Sequence, residues 1–105
     1  DFGTVATSVR TFAEGRLAAG ASRTDTLYVG EGQVFHFALT AGAAPPGAAV
    51  TVTISGPSGS ITLTAAAGET VSHPAVLLRP GQYRVTITVV GPAGTVLTFR
   101  LDGNR

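Results

Sequence analysis

Cysteine is absent from this chain, and so are methionine, tryptophan and lysine. Without cysteine there is no disulfide staple and no thiolate metal site, and the redox compartment is left open. At 105 residues the chain fits one domain. A domain of that size buries about 65% of the surface its unfolded chain exposes, so it needs no staple. Charge is also scarce: 12% of residues are charged, about half the share in an ordinary soluble domain. The seven arginines (Arg10, Arg16, Arg23, Arg79, Arg84, Arg100, Arg105) are scattered against six acidic residues, for a net charge of +1. No basic cluster tracks a phosphate backbone, which argues against a nucleic-acid partner. Arginine without lysine, beside abundant Ala and Gly, reads as GC-rich coding rather than chemistry. No run approaches the roughly 20 apolar residues of a membrane span. No window carries apolar residues at a helical period with caps.

What the chain does have is period-2 alternation, broken by Gly and Pro. Eight strands are predicted. Thr4–Phe12 is the first and Thr24–Val29 the second. The turn Gly30-Glu31-Gly32-Gln33 leads to Val34–Thr40, with Phe35, Phe37 and Leu39 on one face and His36, Ala38 and Thr40 on the other. A Pro/Gly loop over 41–48 precedes Val50–Ser55, and the tight turn Gly56-Pro57-Ser58-Gly59 precedes Ile61–Thr64. The sixth run, Thr70–Leu78, contains Pro74, which cannot donate to a ladder and makes the run an edge or breaks it. Tyr83–Val90 and Thr95–Leu101 complete the set. This pattern predicts an all-β, two-layer antiparallel β-sandwich, jelly-roll or immunoglobulin-like, with a closed barrel as the alternative. Phe35, Phe37, Val52, Ile54, Tyr83, Val85, Ile87, Leu97 and Phe99 share the inward phase.

Val50-Thr-Val-Thr-Ile-Ser-Gly-Pro-Ser-Gly matches Val85-Thr-Ile-Thr-Val-Val-Gly-Pro-Ala-Gly. The match predicts two similar hairpins, with a bulge near one turn because the phases diverge after it.

Residues 15–101 resemble the pre-peptidase C-terminal type of β-sandwich found beside bacterial secreted proteases and other surface proteins. The resemblance is carried by Gly15-Arg16-Leu17, by Asp25-Thr26-Leu27-Tyr28-Val29 followed by Gly30-Glu31-Gly32-Gln33 and Val34-Phe35-His36-Phe37, and by the turn Gly56–Gly59. It is also carried by Leu78-Arg79-Pro80-Gly81-Gln82-Tyr83-Arg84-Val85 and the closing segment Gly94–Leu101. The acidic pair that many such domains use for calcium is missing. The resemblance implies a non-catalytic accessory or adhesive role outside the cell. It divides the chain into an extension, residues 1–14, and a sandwich, residues 15–105.

Chemistry is hard to find. His36 and His73 are the only imidazoles, no Gly-x-Ser-x-Gly elbow is present, and both read as ordinary surface histidines. Two histidines without cysteine make no structural zinc site. The dispersed acids include no Asp-x-Asp loop for calcium, and Asp102-Gly103-Asn104 reads as a turn or frayed end. No cofactor is expected. Thr-x-Thr recurs at Thr24/Thr26, Thr51/Thr53, Thr62/Thr64 and Thr86/Thr88. Such an array could bind ice or carbohydrate, but the strand propensity of threonine on solvated faces is the favoured account.

A neutral Thr- and Ala-rich surface favours packing against neighbours, so the expected partners are copies of the chain or a neighbouring protein domain. The chain opens at Asp1, as one freed of a signal peptide or trimmed does. The expectation is an extracellular or cell-surface module, structural or self-associating. The alternative is an accessory substrate- or surface-binding domain of a larger secreted hydrolase. The first strand, with Phe2, Val5, Val9 and Phe12, either folds back onto its own sheet as an extra edge strand or, as the candidate for self-association, is donated unpaired to the edge of the next subunit.

Overall fold

Short alternating segments between Gly/Pro turns cannot bury a helical stripe, and they pair as strands instead. A computed structural model describes residues 9–30, 32–74 and 76–104. Among them are β1 (Val9–Ala18), β2 (Ser22–Val29), β3 (Gln33–Ala41), β4 (Ala49–Gly56), β5 (Gly59–Ala66), β6 (Thr70–Ser72), β7 (Val76–Leu78), β8 (Gly81–Val90) and β9 (Val96–Asn104). One sheet runs β1-β9-β3-β6, with β7 also on β3; the other runs β2-β8-β4-β5. All pairings are antiparallel.

The pairs are nested. β4 pairs with β5, β3 with β6 and β7, β2 with β8, and β1 with β9. The chain is thus one long hairpin, its tip at Pro57-Ser58, rolled so that successive pairs alternate between two sheets. This is the jelly-roll arrangement of the sandwich. Each strand turns alternate residues inward, and all nine residues expected in the core are buried there. Leu39, Val50, Val89 and Leu101 are sealed with them.

The structure departs from the sequence pattern at four places. The run around Pro74 is both an edge and broken: β6 and β7 pair with β3 on either side of residues 73–75. The His73 amide still bonds to the Phe37 carbonyl at 2.8 Å, and pairing with β3 resumes at Val76 with the register shifted by one residue. With that break, the described residues form nine strands where eight were expected. Second, Asp102-Gly103-Asn104 is neither a turn nor a frayed end. It lies in β9, paired with β1 on one side and β3 on the other, and buried Gly103 stands opposite Phe37.

Third, the two similar segments are not two hairpins. Residues 50–59 run through the β4–β5 hairpin within one sheet, whereas β8 leads to β9 in the other sheet. The phase change after Gly91-Pro92 is a change of sheet, not a bulge. Fourth, β1 runs through residue 14, so residues 9–14 belong to the same strand as 15–18. The bulge sits here instead, between Thr11 and Ala13.

Tyr83 locks the hairpin tip to the turn before β8. Its hydroxyl donates to the Arg79 carbonyl at 2.8 Å. Because that uses its one proton, the 2.8 Å contact with Ser58 Oγ has Ser58 donating. Ser58 Oγ in turn accepts from the Arg79 amide at 2.8 Å. The hydrogen bonds form a closed ring that begins and ends on Arg79, with the geometry of a tyrosine corner. Tyr83→Phe is expected to destabilise the fold by about 1–2 kcal/mol by orphaning partly buried partners. Ser58→Ala should cost a similar amount, and the double variant less than the sum. Urea titration of the three variants measures this; full additivity would show that the ring does not act as a unit.

Candidate functional site

Neither histidine is far from polar company. His36, Ser72, His73 and Asp102 line a groove of about 360 Å³ on the outer face of the five-stranded sheet, together with Phe37, Ala38 and Gly103. The composition is that of a hydrolytic triad, but the contacts differ from one: the carboxylate is engaged by an arginine and the imidazole Nδ1 by a backbone carbonyl. His73 Nδ1 lies 2.7 Å from the Pro74 carbonyl. A carbonyl only accepts, so Nδ1 carries the proton and is occupied locally. The Asp102 carboxylate accepts from Arg100 Nε at 3.0 Å on both oxygens. That hydrogen bond, then the charge of Asp102, raises the Arg100 pKa further. Arginine is protonated at any working pH, so this contact carries no pH response. Among the described residues, no three His, Cys, Asp or Glu side chains lie together in a way that could hold a metal ion.

The outer face of the four-stranded sheet is more organised. Strand register brings the four Thr-x-Thr motifs side by side, although they are far apart in sequence. One row across the sheet reads Thr24, Thr86, Thr53, Thr62; the next reads Ser22, Thr88, Thr51, Thr64; a third reads Thr26, Arg84, Ser55, Ser60. Arg84 is the one charge in these rows. Neighbouring hydroxyls bond to each other: Ser22 to Thr88 and Thr51 to Thr64 at 3.1 Å, Thr53 to Thr62 at 3.4 Å. Cross-strand pairs of this kind stabilise the sheet. Their combined effect is a neutral hydroxylated surface.

The rims of the sandwich differ sharply from one another. β1 carries exposed Glu14 and Arg16 and a bulge. β6 and β7 are three residues each, with Pro74 between. β2 turns Arg23 and Asp25 onto its inner phase, alternating with exposed Thr24 and Thr26. Arg23 Nε bonds Asp25 Oδ2 at 2.8 Å, its Nη1 donates to the Glu14 carbonyl at 3.1 Å, and its guanidinium lies 5.7 Å from the centre of the Phe99 ring. Gly15 leaves the space for it: a Cβ there would stand 3.0 Å from Arg23 Nη1. A charged pair plugs the seam between β1 and β2. Inward charge, bulges, proline and shortness are devices that keep a sheet edge from pairing with another chain. β5 has none of them: Gly59–Ala66 is eight residues without charge, proline or register shift.

Of the residues singled out for self-association, Phe2 and Val5 lie outside the described residues. Val9 stands opposite Asn104 in the β1–β9 ladder, and Phe12 falls at the bulge. Sequence reasoning missed both Arg23–Asp25 and the bare edge of β5. Each had a visible sign: a charge on each side of Thr24, and an uncharged eight-residue run. Among the described residues, no helix is long and apolar enough to cross a membrane. No protein-family model and no curated protein matches the chain.

Proposed function

We propose that this chain is a non-catalytic, extracellular β-sandwich module that works as a structural, self-associating subunit of a surface assembly. The observation that carries the reading is the outer face of the four-stranded sheet, where three rows of side chains hold Arg84 as their one charge. Such a face presents little repulsion to a neighbour. Exposed Tyr28 and Val90 on this sheet, and Val34, Leu77 and Val96 on the other, add apolar contact area. The extracellular part of the proposal is supported by the resemblance of residues 15–101 to pre-peptidase C-terminal domains.

The mass of the native particle, against 10.5 kDa for one chain, tests the proposal. Sedimentation over a wide concentration range is expected to give mass above that of one chain. Deleting residues 1–8, which precede the paired part of β1, separates two modes of assembly. Loss of association with a folded monomer left behind would assign it to that N-terminal segment. Retained association would assign it to another edge. A full-length chain that stays monomeric throughout would overturn the proposal.

A further inference from the structure

We infer that the open edge of β5 is a two-fold self-association site, at which a second copy of this chain adds its own β5 antiparallel with Thr62 opposite Thr62. The inference rests on the self-association proposed above and names its contact.

The hydrogen-bonding phase of β5 can be read at its end. The Ala66 amide donates to Glu69 Oε1 at 3.0 Å, and the Ala66 carbonyl accepts from the Glu69 amide at 2.9 Å. Ala66 therefore points its backbone groups away from β4. In an antiparallel ladder this direction alternates, so Thr64, Thr62 and Ser60 also turn theirs to the open edge, while Ile61, Leu63 and Ala65 bond to β4. Ala66 is satisfied by the turn that follows it. Among the described residues no strand pairs with this side of β5, so Ser60, Thr62 and Thr64 form an open stretch whose centre is Thr62.

A second β5 fits that stretch by symmetry. With Thr62 on the two-fold axis, Ser60 of each copy faces Thr64 of the other, and about six backbone hydrogen bonds close. On the outer face, hydroxyls meet hydroxyls, and the row Thr24, Thr86, Thr53, Thr62 continues into its mirror order in the second copy. On the inner face, half-buried Ile61 comes opposite Leu63. No charged side chain lies on either strand, so no like charges are set face to face. The charge that follows β5 in sequence, Glu69, caps Ala66 beyond the paired stretch, and the two-fold puts the two copies of it at opposite ends. The remaining edges are obstructed by the bulge and charges of β1, the inward ion pair of β2 and the proline break between β6 and β7.

The test uses the full chain and variants at the two ends of one threonine row. Wild type should show a weak monomer–dimer equilibrium in sedimentation, as expected of a small contact. The chain has no cysteine, so Thr62→Cys should cross-link to a covalent dimer on oxidation, because hydrogen-bonded opposite residues lie at a Cα separation of about 5.5 Å, which a disulfide spans. Thr24→Cys, on the β2 edge, should not. Thr62→Lys should weaken association at least 10-fold at low salt, with partial recovery at high salt; Thr24→Lys should leave it unchanged. If Thr62→Lys associates like wild type, or Thr62→Cys cross-links no better than Thr24→Cys, the β5 edge is not the contact. Concentration-dependent mass in the wild type would then still uphold self-association by another surface. A wild type monomeric at about 1 mM overturns both.

Discussion

Phe37→Ala is expected to destabilise the fold by about 3–5 kcal/mol, the cost of emptying a buried phenylalanine site. Phe37 is 1% exposed and stacks on Phe35 with ring centroids 5.7 Å apart. Its cross-strand neighbour is Gly103, which has no side chain to lean into the void. The cavity therefore stays open, and the cost falls toward the upper end of the range. A domain of this size holds about 5–15 kcal/mol in all, so the variant should melt roughly 15–30 °C lower. Phe37→Leu should recover much of the loss. Thermal and urea unfolding measure both; an Ala variant within about 1 kcal/mol of wild type would show that the site collapses, contrary to the packing described.

Gly56→Ala is the second large effect, from the opposite cause. A Cβ on Gly56 would sit 2.5, 2.8 and 2.9 Å from three ring atoms of Tyr83. The ring cannot swing aside freely, because its hydroxyl is fixed between Ser58 and the Arg79 carbonyl. One added methyl should cost about 3 kcal/mol, the upper end for overpacking. Gly30→Ala meets nothing within 4 Å and should lie within about 0.5 kcal/mol of wild type. A double-mutant cycle with Tyr83→Leu checks the cause: the pair should cost clearly less than the sum of the singles. Additive costs would place the strain of Gly56→Ala somewhere other than the ring.

The inward face was legible because a strand has a period of two: once Phe35 and Phe37 are placed, so is Leu39, and the same logic ran correctly along β4, β8 and β9. Pairing was not legible, because a ladder depends on which distant strand arrives, not on local pattern. Val50–Gly59 and Val85–Gly94 show this. Their residues are nearly the same, yet one turns back on its own sheet and the other crosses to the opposite one. The displaced phase of Leu97 and Phe99 was visible, but a bulge and a change of sheet produce the same displacement in sequence. In β1 a bulge between Thr11 and Ala13 shifts the pairing with β9, and no local pattern announces it. The Thr-x-Thr motifs were each readable alone. Their alignment into rows depends on the register of four strands, and the bare edge of β5 acquires meaning only beside three guarded ones.

The nesting of the strands also sets an order in time. β4 and β5 can meet as soon as their turn is made, and each pair laid outside them closes a short loop only because the one inside has formed. β1 is the exception in waiting. It is the first of the nine strands to leave the ribosome and pairs with the last, so it stands alone while residues 19–95 are made, roughly 4–15 seconds at ordinary rates of synthesis. β3 waits for β9 on one side as well, and neither half of that sheet can be joined to the other before β9 arrives. A strand exposed for so long meets other nascent chains more often than β5, which lies close to its partner from the start. The charges of Glu14 and Arg16 and the bulge before Ala13 stand on the strand with the longest wait, where they keep it from the wrong partner until the right one is made.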